Sequence, residues 1–475
     1  MNTDAKSENG KLKILLLSVS STSFFYEQVV IPFGLVSLAS FVEAFDCQIK
    51  GIEMNQPAEK VVARYLKTDP GLLKQVTDFA PDVIAISTYA SNIFNCLYWT
   101  TVIKEQLPET FIVLGGNHAS YMAEEIMQKT PAVDAVIKFE GEIPFKMLTD
   151  KLKAKDSDYS EIPALTYRKD GRIIDNSNVE LMENLDDFPL IDRNYFSASD
   201  KDSDNLTHVD MITARGCTAL CTFCNCNHYW NKTHRSRSVD SVIKELKELK
   251  SRLPLKTVRF RDETVTLRKK HCLELCEAIC REDLNLKFQA HSRLDGLDEE
   301  VIASMAKAGF EQIFIGVESG SKAVLKRLRK GINLEKLPMV IGALHKYGIK
   351  FRLSFMSSTP GERFTETLQT VRLIKKLKLA RDEYYIGVGI DIYPGTEECS
   401  RFMELNPDYQ WISKDHDFKG KYFAMKDPYG NIINPKFRQY SIYLSALMFF
   451  LLSPKYFLQK CYSILMKKLA KIFKF

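Results

Sequence analysis

Short apolar runs alternate with amphipathic segments over the first 150 residues of the chain. The runs are continuous rather than alternating, as expected of strands buried on both faces of a parallel sheet. Parallel strands need crossover helices, and they place ligands at the carboxyl ends of the strands. The pattern therefore predicts a Rossmann-like (flavodoxin-like) α/β domain over residues 10–150. The predicted strands are 13–18, 82–87, 111–115 and 133–137, and the predicted helices are 35–45 and 96–106.

Residues 151–206 have a different composition, rich in Asp, Ser and Asn. One piece, 164–174, has the pattern of a β-hairpin that turns at Asp170-Gly171. We interpret this stretch as a connector between two domains.

A second series of strand and helix patterns begins at His208. It predicts a second parallel sheet, with helices between its strands, over residues 207–400. Two helix ends in this series can be predicted. Ser238 precedes one apolar-periodic segment, and Gly309 follows another. Six βα units fall short of the eight in a full TIM barrel, so we expect an open, partial (βα)6 barrel, followed by a C-terminal region over 401–475 with a helical tail. The predicted strands are 209–214, 257–261, 287–291, 312–317, 350–356 and 384–392.

Composition and charge limit the functional classes. A 475-residue chain with 45% hydrophobic and 27% charged residues is typical of a multidomain globular protein. The net charge of +6 comes from the C-terminus, because eight basic residues and no acidic one follow Asp427. The near-neutral remainder does not indicate nucleic-acid binding. The polar N-terminus leads into only a short apolar run, so we expect a cytoplasmic protein without a secretory signal, whose cysteines are thiols or ligands rather than disulfides.

Three of the eleven cysteines lie within eight residues: Cys217, Cys221 and Cys224. They follow the first strand of the second series, on a loop where parallel sheets place chemistry. Three thiolates on one loop can hold three irons of a cubane cluster and leave the fourth iron open to a small chelating ligand. A zinc site with Cys226 or His228 as the fourth ligand is the alternative.

The cysteine spacing, with Phe223 before the last cysteine, resembles the signature of the radical S-adenosylmethionine (SAM) superfamily. Three strand-end motifs, 260–263, 314–321 and 393–396, resemble motifs of the same superfamily in the same order. The resemblance implies that the cysteines hold a 4Fe–4S cluster whose open iron binds SAM, and that one electron then cleaves SAM to a 5′-deoxyadenosyl radical.

The strand-end residues offer what SAM needs for binding. Glycines allow close backbone approach, Glu318, Ser319 and Ser321 offer acceptors and hydroxyls, and Asp262 or Glu263 can accept from the amino group. Arg293 can pair with the SAM carboxylate, unless it and the two acidic residues simply face solvent. The expected SAM-binding residues are Phe223, Asp262, Glu263, Arg293, Gly316, Glu318, Ser319, Gly320, Pro394 and Gly395.

The N-terminal domain resembles the cobalamin-binding domain that precedes the barrel in one branch of the superfamily, through motifs at 32–35, 81–87, 115–118 and 139–142. Small residues at strand ends would let a corrin lie against the backbone. The expected cobalamin-binding residues are Gly34, Ser87, Thr88, Gly115, Gly116, His118, Gly141 and Glu142.

Two alternatives accompany the cobalamin prediction. His118 either approaches the corrin or is a polar turn residue at a solvent edge, and the domain could keep its fold without binding the cofactor. The Asp-x-His-x-x-Gly loop that supplies an axial histidine in other cobalamin proteins is missing from 18–25. A bound cobalamin would therefore have an empty or water-held lower face.

The resemblance implies a cobalamin-dependent radical SAM enzyme that methylates an unactivated carbon: one SAM supplies the methyl group through cobalamin and a second supplies the radical. A radical cyclase or rearrangement enzyme of the same architecture, and a non-enzymatic cobalamin or metal sensor, are the alternatives. The expected partners are a small-molecule substrate and an electron donor such as flavodoxin or ferredoxin.

Two further features have competing interpretations. Cys272, Cys276 and Cys280 share one helix face, where we expect core packing rather than a second metal site. The tail, 455–475, predicts a basic amphipathic helix that suits the inner face of an anionic membrane or packs on the barrel. Peripheral membrane binding would favour a lipid or other hydrophobic substrate.

Overall fold

The structure is a computed structural model that divides into two compact units. The first groups the described residues of Met1–Thr207 with Arg235–Leu255, and the second contains those of His208–His234 and Lys256–Tyr409. We describe each unit by itself. The described residues are 11–19, 32–43, 47–54, 69–90, 92–191, 195, 207–390, 392–407, 447–448 and 450–452.

The first unit is built on a seven-stranded sheet in the order β2-β1-β3-β4-β5-β6-β7. The first five strands pair in parallel, and the β6–β7 hairpin adds two antiparallel strands at one edge. The predicted parallel α/β fold is therefore confirmed, and the predicted hairpin extends its sheet. The strands are β1 (Leu12–Val19), β2 (Cys47–Met54), β3 (Val83–Ser87), β4 (Phe111–Gly115), β5 (Ala135–Ile137), β6 (Leu165–Lys169) and β7 (Arg172–Asp175).

Helices cover this sheet, and apolar side chains of β1 and β3 pack against α1 and α5. Ile14 and Leu16 of β1 share a core with Leu35, Val36 and Phe145. Since β1 is buried on both faces, its continuous apolar run is explained by position in the sheet. The helices are α1 (Phe33–Glu43), α2 (Pro70–Phe79), α3 (Ile93–Gln106), α4 (Asn117–Lys129) and α5 (Glu142–Lys153).

The second unit contains a six-stranded sheet in the order β15-β14-β13-β12-β11-β8, in which every pair is parallel. Within the described residues, β8 and β15 are its edges, so the partial (βα)6 arrangement is confirmed. β10, which lies between β9 and β11 in the chain, belongs to the first unit. The strands are β8 (His208–Met211), β9 (Ala214–Arg215), β10 (Arg235–Ser236), β11 (Thr257–Phe260), β12 (Lys287–Arg293), β13 (Phe310–Glu318), β14 (Lys350–Ser357) and β15 (Tyr384–Val388).

The remaining helices follow the strands of this series, except that α7 belongs to the first unit. Ser238 caps α7 by accepting from the Ser241 backbone N–H at 3.1 Å, and Gly309 ends α9 with a φ of 97°. Both predicted helix ends are confirmed. The helices are α6 (Cys226–Tyr229), α7 (Val239–Arg252), α8 (Lys269–Glu282), α9 (Glu299–Ala308), α10 (Lys322–Arg327), α11 (Leu337–Lys346), α12 (Phe364–Lys376) and α13 (Glu397–Leu405).

Three strands differ from the sequence prediction. β2 is not predicted, because Lys50, Gly51 and Glu53 interrupt its apolar pattern at the sheet edge. The predicted strand 209–214 ends at Met211, and the predicted strand 384–392 ends before Gly389, whose φ is 78°.

Few residues of the predicted C-terminal region are among those that the structure describes. The predicted tail helix 455–475 lies outside the described residues, as do residues 20–31 after β1. No helix in the described part of the chain is long and apolar enough to cross a membrane. On α8, Cys272 and Cys276 are buried, in agreement with core packing.

Candidate functional site

The three clustered cysteines lie on the loop between β9 and α6. Cys217 and Cys221 are buried and Cys224 is half-buried, and all three are free thiols. Two backbone hydrogen bonds fix the middle of the loop: the Thr222 N–H donates to the Leu328 carbonyl, and the Glu398 N–H donates to the Thr222 carbonyl, both at 3.1 Å. The loop is therefore held to the elements that follow β13 and β15.

A fourth thiol, Cys226, lies beside two of the three. Its hydrogen bond lowers the pKa of Cys217 to about 6 and also lowers the pKa of Cys224, whereas burial raises the pKa of Cys221. Thiolates are the metal-binding form of cysteine. The loop thus favours thiolates at two positions before any metal is bound.

The donor set suits an iron–sulfur cluster. In the part of the chain that the structure describes, no three His, Cys, Asp or Glu side chains are placed to hold one metal ion. In a 4Fe–4S cluster each cysteine binds a different iron, so the thiols stand further apart. Three thiols on one loop are the donor set that such a cluster needs.

Asp262 and Glu263, which follow β11, hold the start of this loop. Asp262 accepts from the Thr213 backbone N–H at 2.7 Å and from the Thr213 hydroxyl, and burial raises its pKa to about 6. Glu263 accepts from the Gly216 backbone N–H at 3.0 Å and from the Trp230 indole at 2.6 Å. Asp262 therefore does not face solvent, and both carboxyl groups bind the protein's own loop.

Arg293 is the last residue of β12 and points at the cysteine loop. Its Nη1 lies 3.8 Å from Cys221 Sγ, and its Nη2 donates to the Lys330 carbonyl at 2.8 Å. Asp295 pairs with its Nε at 3.0 Å. The guanidinium is thus a cation placed directly beside the Cys221 thiol.

A buried ion pair occupies the end of β13. Lys330 Nζ lies 2.7 Å from Glu318 Oε1, and Glu318 adopts a φ of 69°. A side chain at Gly316 would meet these two atoms within 2.7 Å, so this glycine is required by the pair. Lys330 Nζ also lies 6.0 Å from the centre of the Phe223 ring.

Lys330 is not among the site residues predicted from the sequence. Its only sequence signal is a Lys-Gly dipeptide shortly after the Glu-Ser-Gly-Ser motif. The structure turns this lysine back onto the motif and places it beside the cysteine loop.

Ser319 and Gly320 serve contacts with α12. The Gly320 N–H donates to Thr370 Oγ1 at 2.9 Å, and Ser319 Oγ lies 3.2 Å from the same oxygen. A side chain at Gly320 would approach the Thr370 Cα to 2.7 Å. The expected close approach of backbone is therefore made by the protein's own helix.

Among the described residues, four buried hydroxyls lack a hydrogen-bond partner, those of Thr222, Ser236, Ser321 and Ser358, and the last two lie just after strands. Ser321 follows β13 and Ser358 follows the neighbouring β14, and neither hydroxyl has a hydrogen-bond partner within the described residues. A buried polar group without a partner is costly, so a water, an ion or a ligand is expected to satisfy it. Ser358 is not among the site residues predicted from the sequence, although the serine pair 357–358 after a strand is a usable signal.

The turn at Pro394-Gly395 reaches the cysteine loop as well. Asn225 Nδ2 donates to the Pro394 carbonyl at 3.4 Å, and Gly395 has a φ of 82°. Phe223 packs against Val324 and Ile390 nearby. Together with the preceding contacts, these place the predicted SAM-binding residues at the carboxyl ends of the strands.

In the first unit, the carboxyl ends of β3 and β4 are bound tightly together. The Thr88 N–H and hydroxyl both donate to the Gly115 carbonyl at 2.8 Å, and Ser87 pairs with Gly115 in the sheet. Gly116 has a φ of 90°, and a side chain there would lie 2.8 Å from the Thr88 carbonyl oxygen. Gly116 is therefore needed by the sheet edge itself.

The other predicted cobalamin residues differ in their surroundings. His118 is buried and burial lowers its pKa to about 4, so it is neutral and the solvent-edge alternative is wrong. Glu142 is buried and accepts from Ser37 at 3.0 Å, and a side chain at Gly141 would meet Leu38 at 3.1 Å. By contrast, no atom of the described residues lies within 4 Å of the position that a side chain at Gly34 would take.

Comparisons with known proteins match the two parts of the chain to two different families. The B12 binding domain family matches residues 26–149, and the Radical SAM superfamily matches residues 211–374. An uncharacterized methyltransferase of Pyrococcus horikoshii is 29% identical over 77% of each chain. The cytidylyl-2-hydroxyethylphosphonate methyltransferase of Streptomyces wedmorensis is 27% identical over 73% of each.

A solved structure has the same fold. The radical S-adenosylmethionine methyltransferase TsrM of Kitasatospora setae, solved with its tryptophan substrate and a SAM analog, has a TM-score of 0.73. The similarity covers 93% of this chain and 89% of that one at 15% identity.

Proposed function

We propose that this chain, which belongs to the radical SAM superfamily and has a B12-binding domain ahead of its radical SAM domain, methylates an unactivated carbon of a small molecule. Its cofactors are those of the family: a 4Fe–4S cluster, SAM and cobalamin. When bound, they supply a carbon-centred radical and a methyl group to combine with it. The protein supplies binding, orientation and exclusion of water.

The cysteine loop is the observation that carries this proposal. Cys217, Cys221 and Cys224 would hold the cluster, on a loop fixed at the carboxyl end of a parallel sheet and flanked by the cations of Arg293 and Lys330. These cations would stabilise the negative charge of the thiolates.

We assign SAM to the strand-end residues beside that loop. The hydroxyls of Ser321 and Ser358 would bind its polar groups, because both are buried and need partners. Arg293 would meet its carboxylate, as the sequence predicts. Asp262 and Glu263 would act by holding the loop, since their oxygens already accept hydrogen bonds from it.

We assign cobalamin to the carboxyl edge of β3, β4 and β5. Gly34 offers open space there, and the tight pairing of Thr88 with Gly115 makes the edge rigid. His118, buried and neutral, would support this edge from α4.

Methyl transfer is favoured over the other outcomes by the two relatives that are named methyltransferases. The deciding experiment uses anaerobically reconstituted protein, SAM labelled in its methyl group, and a small-molecule extract as the substrate source. A product that gains the label supports methyl transfer. Formation of 5′-deoxyadenosine with an unlabelled, dehydrogenated product supports cyclisation, and binding of SAM without turnover supports a sensor.

The cluster assignment has its own control. Cys221→Ala should lose iron and SAM cleavage together, whereas Cys280→Ala, a half-buried thiol on α8, should retain both. Uptake of zinc in place of iron by the reconstituted wild type would contradict the assignment.

Peripheral membrane association is a separate proposal based on the sequence of 455–475. Its lysines fall opposite an apolar face, and each could add about 1 kcal/mol of attraction to an anionic surface. Full-length protein should sediment with anionic vesicles, less so at high salt, whereas a truncation after Asn434 should not. Equal behaviour of the two would exclude a role for the tail.

A further inference from the structure

The β5–α5 loop, residues 139–142, is bound to the end of β4 through one hydroxyl. The Phe139 N–H donates to Ser120 Oγ at 2.8 Å, and the Ser120 hydroxyl donates to the Gly116 carbonyl at 2.8 Å. Phe139 also has a φ of 62°, a backbone conformation that a bulky residue keeps only where its surroundings hold it. The shape of this loop therefore depends on the contacts around it.

The β5–α5 loop is also bound to α1. Its last residue, Glu142, is buried and accepts from the Ser37 hydroxyl at 3.0 Å. Ser37 lies about one helical turn after Gly34 on α1. Gly34 and Gly116 are both expected cobalamin-binding residues, so this loop connects two parts of the edge to which we assign the cofactor.

A buried ion pair holds the middle of the loop. Arg235 Nη2 donates to Glu140 Oε1 at 2.7 Å, and Arg235 Nη1 donates to Glu140 Oε2 at 2.9 Å. The Met182 backbone N–H donates to the same Oε2 at 2.9 Å. All three residues belong to the first unit, and only 13% of the arginine side chain and 4% of the glutamate side chain are exposed. A bidentate pair of this kind fixes the direction of the carboxylate as well as balancing its charge.

Loss of the Arg235 guanidinium would change the shape of the loop. The buried Glu140 carboxylate would lose this counter-ion and two hydrogen bonds, and a buried charge without its counter-ion is unstable. Glu140 would then turn towards solvent, and Phe139, its neighbour in the chain, would leave its left-handed conformation. The hydrogen bond from Phe139 to Ser120, which links the loop to the end of β4, would be lost as well.

We propose that Arg235 is a positioning residue of the cobalamin site: it holds the β5–α5 loop in the shape to which the cofactor binds. It acts through Glu140 and needs no contact with the cofactor itself. The proposal rests on the proposed function, because it assumes cobalamin at the carboxyl edge of β3, β4 and β5. A site whose shape is fixed before binding loses less conformational freedom when the ligand binds, so such a residue raises affinity.

The test uses a second buried ion pair of the first unit as its control. Arg237, which follows Arg235 closely in the chain, pairs with Glu245 of α7, and these two side chains are 6% and 4% exposed. The variants are Arg235→Met and Arg235→Met/Glu140→Met, with Arg237→Met and Arg237→Met/Glu245→Met as the matched controls. Full-length protein with a reconstituted cluster is titrated with hydroxocobalamin and followed by absorbance, and urea unfolding is measured in parallel.

Both Arg235 variants should bind cobalamin at least about tenfold more weakly than wild type, because the loop is no longer held in its binding shape. Both control variants should keep wild-type affinity, since Arg237 and Glu245 lie outside the β5–α5 loop. Each single variant should lose stability, and each double variant should recover part of the loss, because it leaves no unpaired charge. The double variants therefore give the comparison even if a single variant does not fold.

Two results would overturn the proposal while leaving the proposed function intact. Wild-type affinity in Arg235→Met/Glu140→Met would show that the loop needs no such support. An equal loss of affinity in Arg237→Met/Glu245→Met would assign the effect to general destabilisation. Failure of the proposed function gives a different pattern, since wild type itself would then bind no cobalamin and both proposals would fail together.

Discussion

Lys330 Nζ lies 2.7 Å from Glu318 Oε1, and the two side chains are only 8% and 9% exposed. This pair closes the space above Gly316 at the end of β13. A buried pair of this kind is costly to break from one side, because the remaining charge has no counter-ion.

Lys330→Met should therefore lower the free energy of unfolding by about 3–5 kcal/mol. Urea unfolding of the isolated protein measures this. Adding Glu318→Gln should recover much of the loss, since the second change removes the unpaired charge. Lys322→Met is the matched control: its exposed pair with Glu335 should cost less than about 1 kcal/mol. Equal costs for the two lysines would show that burial does not matter here.

Asp262 should make stability depend on pH. Burial raises its pKa from 3.8 to about 6, so between these values the folded state holds a proton that the unfolded state releases. Its contribution is therefore greatest below about pH 4, and stability falls by about 3 kcal/mol as the pH rises to about 6.

The comparison with Asp262→Asn isolates this group. Urea midpoints of wild type and variant are compared at pH 4, 5, 6 and 7. The difference between them should change with pH, with the variant gaining stability relative to wild type as the pH rises. A constant difference between the two proteins across this range would contradict a raised pKa for Asp262.

Much of the fold follows from local pattern. β1, β3 and β4 of the first sheet are mostly continuous apolar runs, β12 and β14 of the second alternate apolar with polar residues, and Ser238 and Gly309 mark helix ends by their own chemistry. The sequence pattern does not predict β2, because an edge strand needs less apolar surface and Lys50 and Glu53 interrupt its apolar residues.

The candidate site is less predictable, because its contacts are formed between distant segments. The cysteine spacing is local, so the sequence is sufficient to find it. Lys330 acquires its position only when α10 folds back on β13, and the acceptor oxygens of Glu263 are oriented by Trp230, which is 33 residues away. No local sequence pattern predicts either contact.

Ser358 and Ser321 should contribute to SAM affinity. Their hydroxyls are buried without partners among the described residues, so a ligand that binds them satisfies them. Each replacement by Ala should weaken SAM binding about 5–10-fold, corresponding to about 1 kcal/mol for one hydrogen bond, and should leave unfolding nearly unchanged. Equilibrium dialysis with reconstituted protein measures the affinity.

Ser292→Ala is the control for these two serines. Ser292 is also buried, but its hydroxyl lies 2.6 Å from Thr266 Oγ1. Its loss should therefore lower stability without affecting SAM affinity. The opposite pattern, with Ser292 affecting binding and Ser358 affecting only stability, would show that the open hydroxyls do not face a ligand.

Substitutions at Gly34 and at Gly116 should affect cobalamin binding and folding separately. Among the described residues, no atom lies within 4 Å of the position that a side chain at Gly34 would take, so Gly34→Leu should fold normally but obstruct a corrin, and cobalamin retention should fall at least about tenfold. Gly116→Ala places its methyl 2.8 Å from the Thr88 carbonyl oxygen at a φ of 90°, so it should lower the free energy of unfolding by about 1–3 kcal/mol. Cobalamin absorbance of the purified protein and urea unfolding give the two readouts. Normal cobalamin content in Gly34→Leu would place the corrin elsewhere.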